Sequence, residues 1–214
     1  MPTAPHPLQW EVARTALAAV ARRGFALGGG LALMVHGVVD RPTEDVDVFG
    51  PDTLDGVRPA AAAIEQALLA AGYQVDRVDA DGPADWADFV VEWEVRRDGR
   101  IVRISLAVQG RRHQPVVMDI GPVMAVDDLI AWKVSALVGR QAFRDYIDTG
   151  ALLATRTPAE LLELARGVDP GLDPSDAAAA GRRLDASPDE AFARYGLDAA
   201  AVGQLRARFT DWPR

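Results

Sequence analysis

The chain contains no cysteine, which excludes a disulfide framework, a zinc–thiolate site and a cysteine nucleophile. It contains one lysine, Lys133; every other positive charge among its 23 basic residues is an arginine. Positive charge as a whole is scarce. Against 31 Asp and Glu the formal net charge is −8, which argues against binding a polyanion over the whole surface and leaves room for a local basic patch. Histidine is limited to His6, His36 and His113, and their spacing suggests no shared metal site. No apolar run approaches the ~20 residues that span a bilayer. Residues 1–7 lack the basic and apolar regions of a signal peptide. The expectation is a cytoplasmic protein with no membrane partner. What remains is ordinary for a globular chain: 214 residues, 49% apolar and 25% charged, enough to bury a core without staples.

The first 125 residues read as mixed α and β, and 126–214 as all helical. An amphipathic helix over 8–23 ends at Gly24. A short apolar strand at 25–27 runs into Gly28-Gly29-Gly30, and a short helix over 31–36 follows. Residues 45–49 alternate as a strand; 51–56 read as loop and 58–71 as an alanine-rich helix. Strands are expected at 73–78, 89–97, 100–108 and 115–120. Asp98-Gly99 supplies a two-residue hairpin turn. A long helix is expected from Asp127 or Asp128 to about Leu153. Further helices are expected to open at Thr157-Pro158, at Asp173-Pro174, at a capping box over Ser187–Glu190, and over 199–209.

Three features could carry chemistry. Asp45 and Asp47 flank Val46, so a strand period of two puts both carboxylates and Phe49 on one face. Like charges so placed call for a cation, and Mg²⁺ takes carboxylate oxygens; a bare Asp-x-Asp also fits a solvated edge strand. Upstream, the glycine turn lets backbone N–H groups approach phosphates, although such turns also serve as plain connections. Asp119, flanked by Val117, Met118 and Ile120, reads as a third acid in a core strand, or as a strand-end cap of Gly121-Pro122. Finally, Lys133, Arg140, Arg144 and Asp148 fall on one stripe of a continuous helix at ~100° per residue, with Asp145 on the other side. An inward cationic stripe suits an anion such as a triphosphate; a salt-bridge set is the alternative.

With these residues in view the chain resembles the AbiEii/AbiGii-type nucleotidyltransferases of the DNA polymerase β-like superfamily. The resemblance runs through Leu27-Gly-Gly-Gly-Leu-Ala-Leu, Arg41-Pro-Thr43-Glu-Asp45-Val-Asp47-Val-Phe49, Asp119-Ile-Gly, and Lys133 to Arg140, Arg144, Asp145 and Asp148. It covers about 25–153 and is loose beyond 157. It implies an α+β fold: a minimal nucleotidyltransferase mixed-sheet core over 1–125 and a helical region over 126–214 that completes the active site. It also implies metal binding (Mg²⁺ or Mn²⁺) by Asp45, Asp47 and Asp119. Gly28, Gly29, Gly30, Arg41, Thr43, Lys133, Arg140 and Arg144 would bind the NTP, and Asp148 would do base or positioning work. Two positions depart from the family pattern. Val117-Met118-Asp119 stands where Lys-x-Asp is common, and Gly30 where Ser is common.

The implied reaction is metal-dependent transfer of NMP from an NTP to a hydroxyl. The implied biology is a toxin of a toxin–antitoxin or phage-defence pair, acting on tRNA 3′ ends, with a separate antitoxin protein. Arg96, Arg97, Arg100, Arg103, Arg111, Arg112 and His113 form a candidate RNA patch around the hairpin, or a charged edge that protects the sheet. A small-molecule nucleotidyltransferase of the aminoglycoside or lincosamide kind is the alternative enzyme. A non-catalytic nucleotide sensor is the alternative outside catalysis. His36 and the tryptophans Trp10, Trp86, Trp93 and Trp212 read as packing residues.

Overall fold

The computed structural model describes residues 5–51, 56–78 and 88–214. Trp86 and most of the loop expected over 51–56 lie outside them. The chain divides into a first unit, Met1–Val126, and a second, Asp127–Arg214.

The first unit opens with α1 (Pro7–Val20), whose N-terminus is capped by the His6 side chain accepting from the Leu8 amide. Gly24, at φ 79°, lets the chain reverse after a 3-10 turn. β1 (Ala26–Leu27) leads into α2 (Gly29–Val35), β2 (Asp45–Gly50), α3 (Arg58–Ala70), β3 (Gln74–Val78), β4 (Val90–Arg97), β5 (Arg100–Val108), β6 (Val116–Met118) and β7 (Gly121–Val123). Asp98 and Gly99 take φ of 52° and 73°, both left-handed, as a tight hairpin between β4 and β5 requires.

The strands form one mixed sheet of seven, in the order β3-β4-β5-β2-β1-β7-β6. β2 pairs in parallel with β5 and antiparallel with β1. Alternation then separates two faces. Val46, Val48, Trp93, Val95, Ile104 and Leu106 are buried on the side where α1 and α3 pack together and Glu65 of α3 accepts from the Trp93 indole N–H. Asp45, Asp47 and Phe49 lie on the other face and are only half-buried.

The second unit is entirely helical: α4 (Val126–Arg140), α5 (Phe143–Leu152), α6 (Pro158–Val168), α7 (Pro174–Ala186), a 3-10 segment over Asp189–Tyr195, and α8 (Ala199–Arg208). Thr157 and Glu160 form a reciprocal capping box on α6, and those bonds hold the Glu160 carboxyl below its ordinary pKa. Asp173 and Asp198 cap α7 and α8. The Tyr146 hydroxyl donates to the Ala180 carbonyl, and burial pushes its pKa up to about 12. Two expectations are corrected here. The long helix breaks at Gln141, whose φ is 52°, so it is two helices. The fourth C-terminal helix is a 3-10 segment with Pro188 at its cap and no side-chain cap bond.

Among the described residues no helix is long and apolar enough to cross a membrane. The whole is an α+β fold, a mixed sheet followed by a helical C-terminal part.

Candidate active site

In the first unit the glycine turn and the acid strand are fitted to one another. The Gly28 amide donates to the Asp47 carbonyl at 2.8 Å. A Cβ placed on Gly28 would overlap the Phe49 ring, and one placed on Gly29 would overlap the Asp47 carboxylate. Gly29 also sits at φ 60°, a conformation that glycine adopts without strain. The absence of both side chains is what lets the Asp47 carboxylate rest against the start of α2. The loop that feeds β2 brings Arg41 and Thr43 to the same place: a Cβ on Gly30 would meet Thr43 Oγ1 at 3.2 Å and an Arg41 guanidinium nitrogen at 3.4 Å. Gly28, Gly29, Gly30, Arg41, Thr43 and Asp47 therefore come together, with Asp45 two residues along the same strand face.

Asp119 does not join them. It is the exposed residue of the two-residue turn between β6 and β7, whose other member, Ile120, is buried, and Val116 and Val117 of β6 are 44% and 84% exposed. The apolar flanks that suggest a core strand belong instead to the outer edge of the sheet. β1 and β7 stand between this edge and β2. Asp119 lines a surface cavity of about 460 Å³ with Pro5, Trp10, Met34, Val35 and Met118, near the C-terminal end of α2, whereas Asp47 sits at its N-terminal end. The strand beside β2 is β5, and its register sets Arg103 opposite Asp45 and Ser105 opposite Asp47. Among the described residues no group of three or more His, Cys, Asp or Glu is placed to hold a metal. The oxygen donors that fit a hard cation are the two carboxylates of β2, with the Ser105 side chain on the next strand.

The second unit carries a separate charged cluster. Lys133 of α4, 9% exposed, lies 2.9 Å from Asp148 and 3.4 Å from Asp145 of α5. Arg140 makes a two-pronged contact to Asp145, at 2.8 and 2.9 Å. Asp145 and Asp148 are both fully buried. The break at Gln141 resets the helical phase, so the continuous-helix stripe is corrected. Arg144 is exposed, and Asp145, expected on the outer side, is the centre of the cluster.

The arginines expected to form an RNA patch do not all share a surface. Arg96 pairs with Asp76 and Glu94, and Arg103 with Glu94. Arg97, on the opposite face of β4, pairs with Glu11 and stacks on Tyr73 at 3.7 Å. Arg111 donates to the Gly24 carbonyl at the far end of β5. That strand of nine residues is about 30 Å long, so Arg111 and Arg112 are distant from the hairpin turn at Asp98-Gly99. Arg100 lies beside that turn and is exposed.

His36 bonds the Met124 carbonyl at 2.9 Å, a packing role, and Trp93 and Trp212 are buried. Gln9 escapes the sequence reading. It is 2% exposed, and its Nε2 donates to the Asp45 carbonyl at 3.0 Å. The sequence signal was its position, three and four residues before Val12 and Ala13 on the buried stripe of α1, where every other buried residue is apolar.

Solved structures share the fold. The crystal structure of JHP933 from Helicobacter pylori aligns with TM-score 0.58 and 15% identity over 96% of this chain and 91% of that one. A protein assigned as a nucleotidyltransferase from H. pylori aligns with TM-score 0.59 and 17% identity, over 96% and 94%. No curated protein matches the sequence. A model of the nucleotidyl transferase AbiEii toxin family, of type IV toxin–antitoxin systems, matches residues 13–195, most of the chain. The glycine turn, the Asp-x-Asp strand and that match lead to one conclusion: the chain belongs to the AbiEii nucleotidyltransferase toxin family.

Proposed function

We propose that this nucleotidyltransferase moves NMP from an NTP to the hydroxyl of an acceptor, with Asp45 and Asp47 holding Mg²⁺ or Mn²⁺. The observation that carries the reading is the Asp47 carboxylate seated against Gly29, with Arg41 and Thr43 at Gly30. A divalent cation bound there would offset the charge on the reacting phosphates and acidify the attacking hydroxyl. The chain's own residues do the rest. The glycine turn offers main-chain approach to the triphosphate, and the Arg41 guanidinium is a two-pronged phosphate partner. Thr43 adds a hydroxyl donor, and β2 fixes both carboxylates on one face. In the second unit Asp145 and Asp148 hold Lys133 and Arg140 in place.

For the acceptor, the toxin family favours an RNA hydroxyl such as a tRNA 3′ end, with an antitoxin encoded as a separate protein. A small cationic acceptor is the second reading. It is favoured by the ion pairs that engage Arg96, Arg97 and Arg103 and by the acids Glu92 and Glu94, which are half-buried on the same sheet face as Asp45. Two measurements separate them: labelled NTP with Mg²⁺ offered to tRNA and to aminoglycosides, and expression in a drug-sensitive host. Labelled tRNA with growth arrest supports the toxin; raised drug tolerance with no labelled RNA supports the second reading.

A further inference from the structure

The geometry points to Gln9 as a positioning residue for Asp45: its buried amide takes the place of a missing strand and fixes the main chain that carries the first metal-binding carboxylate. This rests on the reading of Asp45 and Asp47 as the cation site.

Along a strand, carbonyls two residues apart point to the same side. On the β1 side of β2, pairing covers Ala26 with Phe49 and Leu27 with Val48 and then stops, because the chain leaves the sheet at Gly28 to start α2. One more carbonyl, that of Asp47, is taken by the Gly28 amide. The next on that side is the Asp45 carbonyl, and no β1 residue remains to meet it. Gln9 fills the gap from α1 with its Nε2 at 3.0 Å. The acid strand is thus held along one edge by two main-chain strand partners, then the glycine turn, then a side chain.

A second observation marks the position as more than packing. The other oxygen-bearing arm of the same amide, Oε1, is buried and has no hydrogen-bond partner among the described residues. Turning the amide over would set Oε1 against the Asp45 carbonyl, so the donor orientation is fixed by its partner. An orphaned buried carbonyl is costly, and the rest of the stripe on α1 is apolar. An apolar side chain of the same length would remove the orphan without leaving a hole. That substitution would also leave the Asp45 carbonyl without its donor, and a glutamine here has a reason in the site: Asp45 is the end residue of β2, where a strand frays most readily, and the carboxylates it and Asp47 offer must stay in register to share one ion.

The two roles predict opposite results for Gln9→Met, which keeps the length and removes both the donor and the orphan. We measure Mn²⁺ affinity from the loss of the free-ion electron paramagnetic resonance signal, beside the thermal midpoint, for wild type, Gln9→Met, Gln9→Leu and Asp45→Asn. The expected outcome is that Gln9→Met and Gln9→Leu fold and melt within a few degrees of wild type, because each removes the orphaned Oε1 and in exchange leaves the Asp45 carbonyl without its donor. They bind Mn²⁺ about 10-fold more weakly, the scale seen when a partner that orients a ligand is lost. Unchanged Mn²⁺ affinity in a folded Gln9→Met or Gln9→Leu, with affinity lost in Asp45→Asn, overturns the role of Gln9 and leaves the cation site standing. Unchanged affinity in Asp45→Asn overturns the cation site, and the inference with it. A midpoint lowered in both Gln9 variants with Mn²⁺ affinity intact makes Gln9 a packing residue and also overturns the inference.

Discussion

Each unit holds a pair of aspartates, and the two pairs are treated in opposite ways. Asp145 and Asp148 are fully buried, and Lys133 and Arg140 supply two positive charges for their two negative ones. The two buried carboxylates are thus met by cations from the same unit, Lys133 buried with them and Arg140 reaching in from the surface. Asp45 and Asp47 are half-buried on an open sheet face beside a turn of three glycines. Buried charge compensated within the fold is structure first, whatever else it does. Charge that stays half-exposed beside a main-chain turn is within reach of solvent and of a ligand. Identity of residue type therefore says little; the local balance of charge and exposure separates the two pairs.

The comparison can be broken, most sharply by removing one member of the closed cluster. Asp145→Asn should remove the carboxylate that Lys133 and Arg140 share, leaving Lys133 with Asp148, and destabilise the protein by about 1.5–3 kcal/mol, read by urea denaturation. A loss below ~1 kcal/mol would mean the cluster is not self-contained. Asp47→Asn should do the reverse: a thermal midpoint close to wild type, because the half-buried position accepts an isosteric amide, with transfer activity reduced at least ~100-fold, beyond what loss of a mere orienting partner costs. Gly29→Ala should fall between the two. The left-handed main chain and the overlap with Asp47 are together expected to cost roughly 1–3 kcal/mol, and nucleotide binding by calorimetry should drop with it. The smallest expected effect is a gain. Ser105→Asp should tighten Mn²⁺ binding roughly 3–10-fold, about 0.7–1.4 kcal/mol, by adding a carboxylate opposite Asp47, and lower the melting temperature slightly through repulsion when no cation is bound. Weaker binding in Ser105→Asp would place the cation away from β5.

The open site was legible in the sequence because its determinants are short-range. Alternation around Val46 places Asp45 and Asp47 on one face whatever the rest of the chain does, and a glycine run between strand and helix reads directly as close approach. Three other features depend on distant partners. Val117-Met118-Asp119-Ile120 has the local pattern of a core strand, and only the strand order shows that it is a hairpin at the sheet edge. The helix break falls at Gln141, and Gly139 two residues earlier is a local hint of an end, but it does not foretell the phase change that turns Asp145 inward and Arg144 outward. The arginine patch is a cluster in sequence, yet Arg97 meets Glu11 and Arg96 meets Asp76 only after folding. Gln9 was visible as a polar residue on an apolar stripe, but its partner lies 36 positions away.

The most direct test of the central claim is label transfer from each of the four α-labelled NTPs in the presence of Mg²⁺. The wild-type chain is compared with the double variant Asp45→Asn/Asp47→Asn, both shown to be folded, on tRNA and on small hydroxylated acceptors. The account predicts Mg²⁺-dependent labelling of an acceptor by the wild type and none above background by the double variant. Labelling by the double variant at the wild-type rate would contradict it.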